Sequence, residues 1–186
     1  MKALKKLMIA GLLSTGLYAS GTNSVYIGFG AMNGSGTQTL ETNGNIYSAD
    51  YDMTGVGGKI GLIGKDNNRL EFAINKLNGS NDNGSDTYTG FEMSYLFAFL
   101  KGDFHPYLGL SVGYYVSENL KGYDDNGDET SVNALELGFS GGFLFGLTQN
   151  IELEIAYQYR HLNWNYSDIT LYDDIGNAYV GMNFKF

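Results

Sequence analysis

Apolar and polar residues alternate without a break over the last ten positions of the chain. Residues 177–186 read NAYVGMNFKF, and every second residue from Ala178 to Phe186 is apolar. A period of two places alternate side chains on opposite faces of a β-strand. About ten residues are enough for a tilted strand to cross the hydrocarbon layer of a bilayer. The segment is therefore predicted to be an amphipathic strand of membrane-spanning length.

Seven earlier stretches repeat this alternation, which makes eight predicted strands. They cover residues 24–32, 53–63, 69–77, 87–99, 106–116, 132–145, 151–160 and 177–186. The connections alternate in length. Three are short (64–68, 100–105 and 146–150), and four are long and polar (33–52, 78–86, 117–131 and 161–176). Short turns on one side and long loops on the other are typical of outer-membrane barrels. The pattern predicts an all-β fold, an eight-stranded antiparallel up-and-down transmembrane β-barrel.

Within the first long loop, residues 37–41 and 45–51 flank Asn43-Gly44 and have the pattern of a hairpin. The loop is therefore expected to contain strand extensions. An alternative remains open, a soluble eight-stranded barrel of lipocalin type, in which the apolar face would point inward. The alternating loop lengths favour the membrane barrel.

The end of the chain carries a motif of its own. Tyr179, Gly181, Phe184 and Phe186 supply an aromatic residue, a glycine and two apolar residues, the last of them Phe. This ending resembles the carboxy-terminal signal that the barrel assembly machinery reads in bacterial outer-membrane barrels. Residues 23–186 as a whole resemble the small Gram-negative outer-membrane surface antigens of opacity-protein type. The resemblance implies a porin-like barrel in the cell outer membrane, and it implies neither a cofactor nor a particular reaction.

The first 21 residues have the composition of a secretory signal peptide. Lys2, Lys5 and Lys6 precede an apolar run at 7–17, and small residues follow at 19–21. The run is shorter than the roughly 18 residues of a transmembrane helix. Cleavage after Ala19 and cleavage after Gly21 both fit. Residues 22–186 are then predicted to form one outer-membrane barrel domain.

Composition agrees with an exported β-protein. The chain has 27 Gly, 15 Tyr and 11 Phe but a single Pro, which suits strands better than helices. It has no Cys, so its stability must come from barrel closure and burial rather than from disulfides. The formal charge of −9 includes three lysines of the predicted leader, and the rest of the chain is more acidic still. Such a chain would repel phosphates, so no nucleic-acid partner is expected.

Odd and even positions of a strand face opposite sides, and this parity separates the charged residues of the strands from those of the external loops. Opposite the apolar face lie Lys59, Arg69, Glu71, Glu92, Glu136, Glu152, Glu154, Arg160 and Lys185. Eight strands enclose a space that side chains just fill, and buried charges are costly unless paired. These residues are therefore predicted to form a salt-bridge plug in the lumen. Strand offsets predict that Lys59 pairs with Glu71, Glu136 with Arg160, and Lys185 with Glu152 or Glu154. Inward glycines are expected to make room for these long side chains: Gly28, Gly30, Gly57, Gly61, Gly109, Gly113, Gly138, Gly142 and Gly181.

The predicted external loops carry nearly all of the net charge. Thirteen acidic residues stand against Lys76 and Lys121: Glu41, Asp50, Asp52, Asp82, Asp86, Glu118, Asp124, Asp125, Asp128, Glu129, Asp168, Asp173 and Asp174. The expected function is non-enzymatic, with a structural or surface-interaction role in adhesion or envelope integrity. The expected partners are outer-membrane lipid and lipopolysaccharide, and a host or envelope partner at the loops. A small passive pore is the alternative.

Two stretches have residues that could carry chemistry. Residues 124–129 hold acids at the spacing of a calcium loop, but they lack the Gly and the final Glu of that pattern. A solvated turn is the simpler reading, and no metal is expected. His161, followed by Ser167 and Asp168, could belong to a lipid A acyl hydrolase. The His-x-Ser motif of the outer-membrane deacylases is missing, however, and a His beside Trp164 is more typical of a headgroup-level anchor.

Outward aromatic residues near the strand ends are expected to form girdles at the two membrane surfaces. The predicted set is Tyr88, Tyr95, Phe99, Tyr114, Tyr157, Tyr159, Phe184 and Phe186.

Overall fold

A computed structural model of the protein describes residues 24–42, 44–64, 66–81, 84–100, 102–123, 129–165 and 170–186. Its eight strands are β1 (Ser24–Thr42), β2 (Asn45–Ile63), β3 (Arg69–Asn81), β4 (Gly84–Ala98), β5 (Phe104–Tyr123), β6 (Glu129–Gly146), β7 (Ile151–Trp164) and β8 (Thr170–Lys185). Each strand pairs antiparallel with the next, and β8 pairs with β1 to close the barrel. The predicted fold class is confirmed. The predicted leader, residues 1–21, lies outside the described residues.

Closure involves both ends of the chain. The ladder between β1 and β8 runs from Tyr26 opposite Lys185 to Glu41 opposite Thr170. Beyond it, the backbone N–H of Phe186 donates to the carbonyl of Val25 at 2.8 Å. A closed ladder leaves no strand edge exposed in the hydrocarbon layer, where an unpaired backbone group is costly. In the described part of the chain, no helix has the length and hydropathy needed to cross a bilayer.

The two ends of the barrel differ. One end holds residue 186 and the short connections 64–68, 99–103 and 147–150, and we call it the turn end. The opposite end holds the other four connections, and we call it the hairpin end. The predicted long loops at the hairpin end are largely strand, so the predicted strand bounds were too short there. The hairpin expected in the first loop is present, and Gly44 has φ of 77° between β1 and β2. Gly, Asn, Ser and Asp are poor strand formers. Here they stay in strands beyond the membrane because they form ladder hydrogen bonds with the neighbouring strand.

Apolar side chains point away from the barrel axis and charged ones toward it. Ile27, Phe29 and Leu137 are 51%, 55% and 62% exposed, whereas Arg69 and Glu154 are each 1% exposed. A continuous apolar band of this size is not stable in water. It fits the outward apolar band of a membrane barrel. The orientation is the reverse of the one that the soluble lipocalin-type alternative requires.

Tyr88, which was predicted to face outward, lies inside the barrel against Trp164. Tyr88 and Trp164 are 3% and 2% exposed, and their ring centroids are 5.3 Å apart. The prediction of Tyr88 in a girdle was therefore wrong. Tyr88 has the parity of the buried Glu92, and Trp164 has that of the buried Arg160. The other predicted girdle residues face outward.

Candidate functional site

The lumen contains polar side chains in successive layers, beginning at the turn end with Arg69, Glu152 and Lys185. Arg69 Nη1 and Nη2 donate to the two carboxylate oxygens of Glu152 at 2.8 and 3.0 Å. Lys185 Nζ lies 3.2 Å from Glu152 Oε1. The guanidinium of Arg69 also lies over the ring of Tyr26, 5.2 Å from its centroid. One carboxylate therefore balances two cations drawn from β3 and β8.

The second layer is centred on Lys59. Its ammonium lies 3.0 Å from Glu71 and 2.6 Å from Glu154. Tyr107 donates its hydroxyl to Glu154 at 2.7 Å, and Tyr26 donates to Glu71. The predicted pairs of Lys59 with Glu71 and of Lys185 with Glu152 are both present. The contact from Lys59 to Glu154 crosses from β2 to β7 and was not predicted.

In the third layer, Arg160 has a different partner from the one predicted. Arg160 Nε lies 3.1 Å from Glu92 Oε2 on β4, and its Nη1 donates to Asn177 Oδ1 at 2.7 Å. Glu136 accepts a hydrogen bond from Ser111 at 2.7 Å, and its Oε2 has no partner among the described residues. The predicted pair of Glu136 with Arg160 was wrong, because the guanidinium reaches across the lumen rather than to the adjacent strand.

All nine residues predicted to face the lumen therefore lie there, as two ion clusters, one further pair and the carboxylate of Glu136. Two cavities remain between the layers, lined in part by Glu71, Glu92 and Arg160. Each has a volume of about 20 Å³. Such a cavity holds about one water molecule. Side chains thus fill most of the cross-section at mid-height.

Three of the nine predicted inward glycines, Gly30, Gly61 and Gly181, make room for tyrosine rings, which the sequence did not indicate. Gly28, Gly113 and Gly138 lie against Lys59 or Glu136, as expected. A Cβ atom on Gly61 would overlap the ring of Tyr26, and one on Gly30 would lie 2.6 Å from the ring of Tyr179. Those two rings flank Lys59, whose Nζ is 6.0 and 5.4 Å from their centroids. The rings and the cation therefore pack as one unit.

Toward the hairpin end the lumen becomes apolar. This apolar region was not predicted from the sequence. Met53, Leu77, Leu162 and Ile175 are each 0% exposed, and they belong to a buried cluster that includes Trp164. The parity that puts apolar residues outside holds only within the membrane, where lipid is the apolar phase. Above the membrane, water surrounds the strands, so the apolar side chains point inward. The sequence did contain a signal for this region, because Leu77 and Ile175 are apolar residues at positions whose parity faces inward.

One carboxylate lies within this apolar cluster. Asp173 is fully buried and accepts a hydrogen bond from Trp164 Nε1 at 2.5 Å. The hydroxyl of Tyr51 lies near this carboxylate. That hydroxyl and Asp173 Oδ1 are both buried without a partner among the described residues. Burial raises the pKa of Asp173 to about 6. A carboxylate that is buried beside an unpaired donor marks this end of the barrel as a candidate binding site.

On the outer surface, His161 is paired with a carboxylate. Its Nδ1 lies 2.9 Å from Asp174 Oδ1, and Tyr159 donates to the same oxygen at 2.5 Å. Partial burial acts to raise the pKa of Asp174, but the hydrogen bonds from Tyr159 and His161 outweigh it and keep the pKa below its ordinary value. The other two residues of the hydrolase hypothesis, Ser167 and Asp168, lie outside the described residues.

The acidic cluster at 124–129 lies outside the part of the chain whose side chains are described. Within that described part, no group of three or more His, Cys, Asp or Glu side chains is arranged to hold a metal.

The four residues of the predicted assembly signal divide between the two faces of β8. Tyr179 is 5% exposed in the lumen and Gly181 lies under its ring. Phe184 stacks on Phe29 outside the barrel with centroids 5.6 Å apart. Phe186 is 75% exposed. Tyr179 and Gly181 therefore contribute to packing in the lumen, whereas the side chain of Phe186 makes few contacts in the folded barrel.

Comparison with known proteins identifies relatives by structure alone. No protein-family model matches this chain, and no curated protein sequence matches it. Among solved structures, it is similar to Neisserial surface protein A (NspA), with 17% identity and a TM-score of 0.57 over 87% of this chain and 97% of that one. It is also similar to the outer membrane protein OprG from Pseudomonas aeruginosa, with 14% identity and a TM-score of 0.54 over 90% and 98%. The chain has the fold of a small outer-membrane β-barrel, and the apolar outer band agrees with the predicted location in the outer membrane.

Proposed function

We propose that this protein is a closed outer-membrane scaffold that presents its hairpin end to a partner outside the cell. The main observation behind this proposal is the filled lumen, in which charged layers are followed by an apolar cluster along the barrel axis. A barrel without a water-filled passage has its accessible polar surface at its ends. The strands that extend beyond the apolar band are then the part that can contact a host or envelope partner, and the role is non-enzymatic.

Lipid is the second partner in this proposal. The outer wall has an apolar depression of about 570 Å³ lined by residues that include Leu70, Met93, Leu110 and Leu137. Acyl chains are the material that fills such a depression in a bilayer. Tyr157, Tyr159 and His161 lie where the outer apolar band ends, at the level of lipopolysaccharide headgroups.

Planar-bilayer recording of the purified protein tests the closed lumen. We expect no stable conductance steps, and long-lived steps would favour the small passive pore instead. A second arm replaces residues 37–50 with a two-residue turn, which shortens the hairpin of β1 and β2. Cells that display this variant should lose attachment to surfaces while the barrel keeps its heat-modifiable electrophoretic mobility. Attachment equal to that of the parent chain would contradict a role for this hairpin end.

A further inference from the structure

One segment at the hairpin end has an unpaired strand edge. Residues 45–51 of β2 pair with β1, from Asn45 opposite Thr42 to Tyr51 opposite Gly36. On the other side of β2, the ladder with β3 begins only at Asp52 opposite Ser80. Seven residues of β2 therefore have a second edge that no described strand covers. At about 3.3 Å per residue this edge is roughly 23 Å long.

The edge has few of the features that usually protect exposed strands. Natural proteins place charged residues (especially Lys), Pro or bulges on such edges to prevent pairing with other chains. Residues 45–51 read NIYSADY, in which Asp50 is the one charged residue and Lys and Pro do not occur, and the ladder with β1 has no register shift there. Ile46 and Tyr47 are 69% and 58% exposed near the tip. The backbone and the side chains of this segment are thus both available to a partner.

A pocket adjoins the base of the edge. It has a volume of about 260 Å³ and is lined by Gln38, Ala49, Tyr51, Asp86 and Tyr88, among others. This volume is several times the roughly 30 Å³ that one water occupies in the liquid. Directly behind the lining lies Asp173, the register partner of Gln38. The unpartnered oxygen of Asp173 and the unpartnered hydroxyl of Tyr51 are therefore next to a space large enough for a side chain.

The charge around the pocket is negative. Asp50 and Asp52 lie on the edge strand, Asp86 lines the pocket, and Asp173 lies behind it. Among the described side chains above the apolar band, Lys76 is the one lysine or arginine, and it lies 3.4 Å from Glu118. Carboxylates together with two tyrosine rings favour a cationic group, through ion pairing and through cation–π attraction.

We propose that the free edge of β2 binds an extended, basic segment of a partner protein by strand addition. The main chain of that segment pairs with residues 45–51, and one of its Lys or Arg side chains enters the pocket beside Asp86, with the buried carboxylate of Asp173 behind the pocket wall. In strand addition, backbone hydrogen bonds supply affinity and side-chain pockets supply specificity. This inference deepens the proposed surface-interaction function and rests on it.

The test uses the full-length barrel in detergent micelles and three fluorescent nine-residue peptides of alternating Thr and Val. The first has a central Lys, the second a central Glu, and the third has the central Lys with alternate backbone nitrogens methylated. We expect fluorescence anisotropy to show saturable binding of the first peptide only. Equal binding of the Lys and Glu peptides, or no binding of the Lys peptide, would overturn the proposal. Equal binding of the methylated peptide would overturn strand addition.

Variants at adjacent positions supply the control. Asp173→Asn should weaken binding of the Lys peptide about tenfold, because it removes a negative charge that lies behind the pocket in the poorly solvated interior. Asp174→Asn, on the outer face of the same strand, should leave it unchanged. Equal effects of both substitutions would contradict the pocket assignment. Self-association in analytical ultracentrifugation that competes with the peptide would assign the edge to a second copy of this chain. If the peptides fail while the shortened hairpin still abolishes attachment, this inference falls and the proposed function stands.

Discussion

Arg69 on β3 and Glu152 on β7 form a bidentate ion pair across the width of the barrel, with N–O distances of 2.8 and 3.0 Å. These strands are four apart in a ring of eight, so the pair joins opposite walls. Both residues are 1% exposed. Breaking a buried pair leaves an uncompensated charge, and this costs about 3–5 kcal/mol. Glu152→Gln removes the carboxylate from both Arg69 and Lys185 and should lower the free energy of unfolding in urea by about that amount. Arg69→Met should cost less, because Glu152 keeps its ion pair with Lys185.

The double variant Arg69→Met with Glu152→Gln controls for this interpretation. Its loss should be smaller than the sum of the two single losses, since neither charge is then left without its main partner. Additive losses would mean that the two side chains stabilise the barrel independently.

Glu136 is the one carboxylate of the three charged layers that the described residues leave outside any ion pair, and its substitution should behave differently. Gln at position 136 keeps an oxygen that can accept the hydrogen bond of Ser111, which is 2.7 Å away in the native barrel. Glu136→Gln should therefore change the free energy of unfolding by no more than about 1 kcal/mol. Urea unfolding beside Glu152→Gln provides the comparison. A loss as large as that of Glu152→Gln would show that Glu136 has an essential partner.

Two glycines of β2 test the space that the lumen provides. A Cβ atom on Gly61 would overlap the buried ring of Tyr26, while on Gly58 the nearest atom would be 4.0 Å away. Gly61→Ala should destabilise the barrel by about 1–3 kcal/mol, as overpacking does. Gly58→Ala should be neutral or slightly stabilising, because Gly is unfavourable within a strand. Urea midpoints measure both, and equal midpoints would contradict the assigned packing.

Asp173 should make stability depend on pH. Burial raises its pKa from 3.8 to about 6, and Tyr51, Tyr88 and Asp86 are the titratable groups that act on it. The native state therefore keeps a proton that the unfolded chain loses above pH 4. This contribution to stability is complete below the unfolded pKa and is lost as the pH rises through about 6. It amounts to at most about 3 kcal/mol.

The measurement for Asp173 is the difference in unfolding free energy between the parent chain and Asp173→Asn from pH 4 to pH 7. The parent should lose stability relative to the variant as the pH rises. A constant difference, or a change of opposite sign, would contradict the raised pKa of a buried carboxylate at this position.

Phe186 should matter for assembly more than for the finished barrel. Its side chain is 75% exposed, whereas its backbone N–H closes the ladder at Val25. Phe186→Ser should slow assembly in cells, measured as the fraction with heat-modifiable mobility, and leave urea unfolding of the folded protein nearly unchanged. Phe184→Ser should reduce both, because Phe184 stacks on Phe29. Normal assembly of Phe186→Ser would remove it from the recognition signal.

Alternation along the chain was sufficient to predict the eight strands, their antiparallel order and the direction of each side chain within the membrane. A period of two is a local property, and lipid outside with packed side chains inside imposes the same rule on every strand. For the same reason, the nine lumen residues could be selected from parity. The three predicted ion pairs all joined neighbouring strands, and two of them are present.

Tertiary structure alone decided what the local pattern does not contain. The partners of Arg69 and Arg160 lie across the lumen, and such distances depend on barrel closure rather than on strand offset. The strands continue past the membrane because each hairpin supports its neighbour, although residues such as Asn, Gly and Ser give no local signal. Above the membrane the apolar phase changes from lipid to protein interior, so Leu77, Trp164 and Ile175 point inward. That reversal places Asp173 of β8 close to Tyr51 of β2, with β1 between the two strands, a juxtaposition that only the closed barrel creates.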